Sequence, residues 1–298
     1  MLAGKLPYQL LTSLLLVAIL LLPSSVFAVK ESIAVQNEHV LTSEQWFYKA
    51  KDYLSKNEYD NAIFAYSKAI SLNPQYVEAY NNRGIAYHNK GQYDLAIADY
   101  NSAIQLNPQS AEVYNGRGNT YQLRGQHDLA IADYNRAIQL NPQFAEAYNG
   151  RGNTYQLRGQ HDLAIADYNQ AIQLNPQYAY AYNNRGSAYL NKGEYDLALA
   201  DCNRAIQINP QSAEVYFKRG NTYQLRGEYD LAIADYNQAI QLNPQYSYAY
   251  YARGFALAKL GSNQEAISNF KLFLQYATPG DSFIETTKQL IRKLGGTI

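Results

Sequence analysis

Apolar residues recur along most of this chain at the three- and four-residue spacing of amphipathic helices, and the pattern returns every 34 residues. In the stretch 111–144, the second of two helical patterns places Leu129, Tyr134 and Ala137 on one face. A first, shorter apolar pattern comes before it, and a glycine separates the two. Each unit therefore predicts two helices joined by a turn. The dipeptide Asn-Pro marks the period, at Pro74, Pro108, Pro142, Pro176, Pro210 and Pro244.

The units in the middle of the chain are nearly identical. The segment Tyr114–Pro142 returns as Tyr148–Pro176 with one change, Arg136 to Gln170. A fixed period of 34 residues predicts a repeat protein, in which each unit buries its apolar face against its neighbours. The predicted segments are a linker at 29–42, seven repeats, numbered 1 to 7 below, at 43–76, 77–110, 111–144, 145–178, 179–212, 213–246 and 247–280, and a C-terminal capping helix and tail at 281–298.

Two columns of small residues predict how each helix pair is built. Gly125 and its equivalents stand where the first helix must end, and glycine accepts the left-handed conformation of a helix C-cap at little cost. In repeat 1 that place belongs to Asn57, and asparagine also tolerates this conformation. A second glycine, Gly118 in repeat 3, lies in mid-helix, where glycine costs about 1 kcal/mol against alanine. We expect it to allow close approach to Ala130, since a larger side chain would overpack the joint.

These residues resemble the tetratricopeptide repeat, a family that pairs antiparallel helices around a fixed series of aromatic, small and proline positions. The resemblance extends from Ser43 to about Gly280. It implies an all-α fold, in which seven helix-turn-helix repeats form a right-handed superhelix with a C-terminal capping helix. It also implies a concave groove lined by the first helices. In repeat 4 the matching residues are Tyr148, Gly152, Tyr155, Ala164, Tyr168, Ala171 and Pro176.

The N-terminus has the layout of a secretory signal peptide, at residues 1–28. Lys5 precedes the 13-residue apolar run Leu10–Leu22, which is shorter than the roughly 20 residues that a membrane-spanning helix needs. The small residue Ala28 then predicts cleavage after it. The alternative is an uncleaved membrane anchor formed by residues 2–27. Either interpretation predicts an exported protein, with the repeats in a periplasm, a lumen or the extracellular space.

The composition argues against several classes of function. The chain carries 25 basic and 25 acidic side chains and no basic run, so it lacks the positive patch that nucleic-acid binding needs. Cys202 is the only cysteine, which excludes an intramolecular disulfide and a cysteine-based metal cluster. The pairs His127-Asp128 and His161-Asp162 are interpreted as packing residues, because other repeats have tyrosine in place of the histidine. We therefore expect no catalytic site, no metal and no cofactor.

Arginine stands on the first helix of repeats 2 to 7, where the resemblance would place an apolar residue, and aspartate recurs on the second helix of repeats 2 to 6. We hypothesise that each arginine pairs with an aspartate of its own or the preceding second helix and so fixes the joint. Repeat 7 departs from this pattern, because it combines Arg253 with Asn269. The residues concerned are Arg83, Arg117, Arg151, Arg185 and Arg219, with Asp99, Asp133, Asp167, Asp201 and Asp235.

Side-chain amides follow one face of the first helices, and they form the predicted partner-binding groove. Asn115 and Asn119 lie one helical turn apart, and Gln122 follows. An amide offers both a donor and an acceptor, so a column of amides can hold the main chain of an extended peptide without requiring one side-chain sequence. The alternative is that these are polar surface residues of a recent duplication. The predicted site residues are Asn81, Asn115, Asn119, Gln122, Asn149, Asn153, Gln156, Asn183, Asn221 and Gln224.

Glutamates open several first helices, at Glu78, Glu112, Glu146 and Glu214. They can add a negative rim to the groove. The positive end of the helix dipole explains their position equally well.

Two hypotheses for function follow. The first is a non-catalytic scaffold that binds an extended peptide or partner segment in the groove, for assembly of an exported or envelope complex. The second is a structural array that self-associates through its ends or its convex face. Both predict a protein partner, no nucleic acid, and contact with a membrane only through residues 2–27 if the signal is retained. Alanine at Asn115, Asn119, Asn149 and Asn153 separates them, because only the groove hypothesis then loses its ligand.

Overall fold

The computed structural model of the chain describes residues 41–297. The predicted signal peptide or anchor and most of the linker lie outside these described residues. Within them the chain forms fifteen helices and no strand, which confirms the all-α class. The helices are α1 (Ser43–Ser55), α2 (Tyr59–Leu72), α3 (Val77–Asn89), α4 (Tyr93–Leu106), α5 (Ala111–Leu123), α6 (His127–Leu140), α7 (Ala145–Leu157), α8 (His161–Leu174), α9 (Ala179–Asn191), α10 (Tyr195–Ile208), α11 (Ala213–Leu225), α12 (Tyr229–Leu242), α13 (Ser247–Lys259), α14 (Asn263–Tyr276) and α15 (Phe283–Lys293).

The chain divides into two compact units, the first ending at Ala79 and the second beginning at Tyr80. Each unit is described by itself. The first contains α1 and α2, and the second contains α4 to α15. Helix α3 begins in the first unit and continues into the second.

The first unit is closed by a helix cap and by aromatic packing. The Thr42 hydroxyl accepts a hydrogen bond from the Gln45 N–H, and the Gln45 side chain accepts one from the Thr42 N–H, which satisfies two free donors at the start of α1. Asn57, in the turn between α1 and α2, has φ 59°, the left-handed conformation predicted for this position. Phe47 of α1 packs against Tyr66 of α2 with the ring centroids 5.7 Å apart, and it stacks on Tyr76 beyond the end of α2 at 4.7 Å, so aromatic contacts hold this helix pair.

The second unit is a stack of helix pairs with two distinct faces. Second helices pack against the first helix of their own repeat and against the first helix of the next, as α6 does with α5 and α7. Consecutive first helices also contact one another, as α5 does with α7, whereas no two second helices in the described part of the chain come as close. The first helices therefore line the inner face of this unit, and the second helices form its outer face.

Glycine serves the repeat in the two places predicted. Gly125, in the turn between α5 and α6, has φ 72°, which confirms that a left-handed residue ends the first helix. In mid-helix, a Cβ atom on Gly118 would lie 3.0 Å from Cε1 of Tyr134, one helical turn beyond Ala130. The expected close approach to the alanine is confirmed at Gly152, where a Cβ atom would lie 3.2 Å from the Ala164 carbonyl oxygen. The glycine therefore makes room for the tyrosine ring as well as for the alanine backbone.

The arginines pair with the aspartates of their own repeats, which confirms the pairing hypothesis and selects one of its two versions. In repeat 4, Arg151 Nε and Nη2 donate to the Asp167 carboxylate at 2.8 and 2.7 Å. Arg151 Nη1 donates to Asn135 Oδ1 of the preceding repeat at 2.6 Å. One guanidinium therefore joins both helices of its repeat to the repeat before it. The same two-bond contact joins Arg83 to Asp99, Arg117 to Asp133, Arg185 to Asp201 and Arg219 to Asp235.

The second unit ends with α15, the predicted capping helix. The Asp281 carboxylate accepts a hydrogen bond from the Phe283 N–H at 2.9 Å and so caps its first turn. Ile291 is fully buried in a cluster with Ile267 and Phe270 of α14, so α15 covers the apolar end of the last repeat. Of the helices between residues 41 and 297, none combines the length and the apolarity that crossing a membrane requires.

Candidate partner-binding face

Tyrosine hydroxyls of the second helices fix the amides of the first helices. Tyr134 donates to Asn119 Oδ1 at 2.7 Å and lies 3.1 Å from Gln122 Oε1. Burial raises the pKa of the Tyr134 phenol well above its ordinary value, so the hydroxyl keeps the proton that it donates. The same arrangement joins Tyr168 to Asn153 and Gln156, and Tyr236 to Asn221 and Gln224.

These contacts change what the amides can offer to a partner. An amide oxygen that accepts a hydrogen bond from tyrosine is already engaged, whereas the NH₂ group keeps two donors. The NH₂ groups of Asn119, Gln122 and their equivalents have no hydrogen-bond partner in the described part of the chain. These six residues therefore present NH₂ donors on the inner face, and each amide oxygen keeps at least one further lone pair, so their role in binding a partner stays a prediction.

The other predicted column, Asn81, Asn115, Asn149 and Asn183, has different surroundings. Asn149 and Asn183 are buried rather than open, because residues of the next first helix cover them. Asn184 Nδ2 donates to Asn149 Oδ1 at 3.1 Å, and Asn183 Nδ2 donates to Glu214 at 3.2 Å. The Asn115 Oδ1 atom is also buried, but no hydrogen-bond partner is found for it.

A cavity of about 280 Å³, lined by both polar and apolar residues, opens beside Gly116, and we call it the Gly116 cavity. Three of the predicted site residues line it, namely Asn81, Asn115 and Asn119. A Cβ atom on Gly116 would lie 3.1 Å from the Tyr100 ring, so this glycine sets the width of the cavity at that point. The remaining lining residues are Ile85, His88, Tyr100, Glu112 and Phe144.

His88 is a neutral hydrogen-bond acceptor in this cavity. Its Nδ1 atom lies 2.8 Å from Thr120 Oγ1. With the Thr120 hydroxyl assigned as donor to the Gly116 carbonyl at 2.9 Å, His88 Nδ1 carries the proton that lies towards Thr120 and Nε2 is an acceptor. Burial lowers the pKa of His88, which keeps the ring neutral near pH 7. Sequence reasoning missed this residue, since its contact lies in the following repeat and no motif links the two positions.

An apolar cavity of about 410 Å³ lies further along the inner face, and we call it the Phe217 cavity. Asn221 and Gln224 line one side, and aromatic rings line the other. Phe283 of α15 contributes a wall and packs on Tyr251 with the ring centroids 5.1 Å apart. Sequence reasoning missed these aromatic residues, although their replacement of asparagine in a repeated column was a visible signal. The aromatic lining residues are Phe217, Tyr248, Tyr251, Phe255 and Phe283.

Titratable side chains outside the two cavities form no catalytic constellation in residues 41–297. No three metal-ligating side chains come together among these residues. Burial raises the pKa of the Cys202 thiol to about 12, so it stays protonated and unreactive near neutral pH. The Nδ1 atoms of His127 and His161 are buried and meet no hydrogen-bond partner in this part of the chain, which agrees with a packing role.

Sequence models of one repeat family match the chain without a gap from residue 50 to residue 268. No match was found among curated proteins. Models described as TPR repeat match residues 50–91, 118–157 and 152–193. Models described as tetratricopeptide repeat match residues 77–110, 179–212 and 213–246, and 100–132 and 235–268.

Solved structures resemble this fold at low sequence identity. A tetratricopeptide repeat protein from Parabacteroides merdae is 21% identical with a TM-score of 0.64, over 85% of this chain and 99% of that one. PilF from Pseudomonas aeruginosa is 18% identical with a TM-score of 0.63, over 72% and 97%. A chain of the APC/C hetero-tetramer Cut9–Hcn1 is 18% identical with a TM-score of 0.72, over 91% of this chain and about half, 52%, of that one. At these identities the likeness is one of fold.

Proposed function

Because the chain belongs to the tetratricopeptide-repeat family, whose members generally mediate protein–protein interactions, we propose that it is a scaffold that holds an extended partner segment along its inner face. One observation carries the proposal. Each tyrosine hydroxyl donates to an asparagine oxygen, of Asn119 or its equivalent, with the oxygen of Gln122 or its equivalent close by, and the NH₂ donors of these amides are left unpaired.

A row of fixed donors suits the main chain of an extended peptide. Main-chain carbonyls accept hydrogen bonds in every residue, so donors at fixed positions recognise an extended segment without requiring one side-chain sequence. The tyrosines add to affinity, because an amide that is already oriented loses little freedom on binding. Recognition is therefore tolerant along the amides, and the two cavities supply selectivity at defined points.

The exported or envelope location is part of the same proposal and is supported by the signal-like layout at residues 1–28. Cell fractionation followed by N-terminal sequencing of the native protein tests it. A periplasmic or secreted chain that begins at Val29 is the expected result. A chain that stays in the cytoplasm with residues 1–28 intact would overturn the location and leave the scaffold proposal standing.

Affinity capture from the envelope of the source cell tests the groove. The bait is the full chain, and its variant carries alanine at Asn115, Asn119, Asn149 and Asn153. A matched control carries Gln173→Ala and Gln241→Ala, two exposed amides of the outer face. We expect a partner that the wild type and the control retain and the groove variant loses.

A second variant separates loss of binding from loss of folding, since the alanine changes remove the asparagine oxygens that accept from Tyr134 and Tyr168. Asn119→Asp with Asn153→Asp keeps an oxygen for each tyrosine and replaces two NH₂ groups by acceptors. We expect this variant to unfold at the same temperature as the wild type and to lose the partner. A partner that binds both groove variants as tightly as it binds the wild type would move the site away from the inner face.

One observation favours self-association as the second candidate. The second helices of repeats 2 to 6 each expose a leucine by about half, at Leu95, Leu129, Leu163, Leu197 and Leu231. Such a column can bury apolar surface against a second copy of the chain. Sedimentation velocity of the wild type and of a Leu129→Arg, Leu163→Arg variant tests it. A dimer that the variant abolishes would support this candidate, and a wild-type monomer would exclude it.

A further inference from the structure

Hydrogen-bond acceptors converge on the Gly116 cavity, and none of its lining residues is a cation. The Glu112 carboxylate accepts a hydrogen bond from Ser110 at 3.0 Å but forms no salt bridge in the described part of the chain. The Asn115 amide also lines the cavity, although its Oδ1 atom is closed to solvent, and His88 offers Nε2. A group that satisfies both Glu112 and His88 must donate hydrogen bonds, and a positive charge on it would complement the carboxylate.

The same places in repeat 6 show how the scaffold accommodates a cation. Three periods beyond Glu112 and Gly116 stand Glu214 and Lys218. The Lys218 ammonium lies 2.8 Å from the Glu214 carboxylate. Burial alone would raise the pKa of Glu214, but the hydrogen bond and charge of Lys218 bring it below its ordinary value. The chain therefore neutralises this glutamate with its own lysine in repeat 6, whereas repeat 3 has glycine in the lysine's place.

The residue opposite each position also differs. A Cβ atom on Gly116 would lie 3.1 Å from the Tyr100 ring. Three periods later Cys202 replaces the tyrosine beside Lys218. A tyrosine does not by itself exclude a side chain at this place, because Asn184 stands opposite Tyr168 in repeat 5. The lysine that neutralises Glu214 has no counterpart beside Glu112, where a cavity remains.

We propose that the Gly116 cavity binds a cationic side chain, lysine or arginine, of the partner segment held along the inner face. The ammonium or guanidinium donates to Glu112 and to His88 Nε2, beside the Asn115 amide that lines the cavity. The methylene stem packs on Ile85 and Phe144, as the stems of basic side chains do on apolar surface. This inference rests on the proposed function, and it names the side-chain chemistry that one site of the face selects.

A pair of peptides that differ only in charge tests the inference. The probe is a fluorescein-labelled heptapeptide of alanines with arginine at its centre, and the reference carries citrulline, which has nearly the same shape and no charge. Fluorescence anisotropy with the full chain gives both affinities. We expect the arginine peptide to bind about ten- to a hundredfold more tightly, the usual range for a hydrogen bond to a charged group.

Three variants assign that preference to the cavity. Glu112→Gln removes the charge and is expected to abolish the preference for arginine, whereas the matched change Glu214→Gln leaves it intact, because Glu214 already has a lysine. Gly116→Lys combined with Tyr100→Cys transplants the repeat 6 arrangement and is expected to fill the cavity and abolish the preference too. Thermal unfolding of each variant confirms that it is folded.

Three results would overturn the inference: citrulline binding as tightly as arginine, a preference that survives Glu112→Gln, or no binding of either peptide at about millimolar concentration, the weak end of specific recognition. Failure of this inference and failure of the groove proposal give different results. Equal binding of both peptides that disappears in the Asn119→Asp, Asn153→Asp variant would leave the groove proposal standing and remove only the cation site.

Discussion

The Gly116 cavity and the Phe217 cavity occupy the same places in the repeat, four periods apart, and differ in their side chains. Both are built on first helices that share one backbone conformation and one spacing. Four polar residues of the first become aromatic in the second, whereas His88 becomes Gln224 and Ile85 becomes Asn221, so the side chains alone give the second cavity its aromatic lining. The substitutions are Asn81 to Phe217, Glu112 to Tyr248, Asn115 to Tyr251, Gly116 to Ala252 and Asn119 to Phe255.

The difference extends to the joints between repeats. In the central repeats, Arg151 has an aspartate opposite, whose hydrogen bonds raise the pKa of its guanidinium against the effect of burial. In repeat 7, Arg253 has Asn269 opposite and burial lowers its pKa. The central region thus relies on charge where the C-terminal region relies on aromatic packing. The predictions below test this contrast, from the largest expected effect to the smallest.

Arg151→Ala should be the most damaging single change. It leaves Asp167, whose side chain is 8% exposed, without its cation, and breaking such a pair costs about 3 kcal/mol of the free energy of unfolding. Arg253→Ala breaks a contact to a neutral amide and should cost about 1 kcal/mol. Urea unfolding of both variants measures the difference. Equal losses would contradict the contrast, and an Arg151→Ala, Asp167→Ala cycle without coupling energy would contradict the pair itself.

Cys202→Tyr restores the residue that most repeats carry at this place, and it should nevertheless destabilise the protein by about 2 kcal/mol, because a larger side chain enters a filled site. Lys218→Gly in the same chain should recover most of the loss, since it recreates the pairing of Tyr100 with Gly116. Unfolding free energies of the single and double variants provide the measurement. A double variant as unstable as the single one would show that Lys218 is not what excludes the tyrosine.

Alanine in place of mid-helix glycine should have opposite effects in neighbouring repeats. A Cβ atom on Gly152 would lie 2.7 Å from the Tyr168 ring, so Gly152→Ala should lower the unfolding free energy by about 1 kcal/mol in spite of the better helix propensity. On Gly186 the nearest atom would be Asp201 Cβ at 3.3 Å, because Cys202 replaces the ring, and Gly186→Ala should be neutral or stabilising by up to about 1 kcal/mol. Thermal and urea unfolding decide the sign, and losses of the same size in both variants would refute the explanation.

Alkaline pH should affect both regions alike. Burial raises the pKa of Tyr178 in repeat 4 and of Tyr246 in repeat 6 to about 12. A phenol whose pKa is higher in the folded than in the unfolded state stabilises the fold while it is protonated. This contribution is complete below pH about 10, the pKa of an exposed tyrosine, and it is lost as the pH rises towards 12. Ultraviolet absorbance of tyrosinate, followed together with circular dichroism, measures it. Normal titration of both phenols without loss of helix would contradict the prediction.

The fold could be predicted from the sequence because its information is local and repeated. In repeat 3 the spacing of Leu129, Tyr134 and Ala137, with the turn at Gly125, defines a helix pair. Similar spacing recurs in all seven repeats. Asn57 was informative for the same reason, since its place in the glycine column identifies a left-handed turn without any tertiary information.

The candidate site could be predicted only in part, because its properties depend on contacts between helices. The sequence identifies Asn119 as an amide on a helix face, but not that Tyr134 engages its oxygen. Asn149 and Asn115 occupy the same place in their repeats, yet Asn184 of the next first helix donates to Asn149 Oδ1, whereas no partner is found for Asn115 Oδ1 in the described residues. The His88 contact to Thr120 joins two repeats, and the spacing of residues within one repeat carries no information about it.

The hydrogen bond from each arginine Nη1 to an asparagine of the preceding repeat allows the number of repeats to change in evolution without damage to the fold. From repeat 3 to repeat 7 the same guanidinium nitrogen reaches back to an asparagine of the unit before it. A recombination event that deletes or duplicates one 34-residue unit therefore joins surfaces that already fit. The backbone survives such an event, and what changes is how many repeats separate the Gly116 cavity from the Phe217 cavity. Evolution can in this way change the length of the partner segment that spans both cavities, and no new contact between repeats is required.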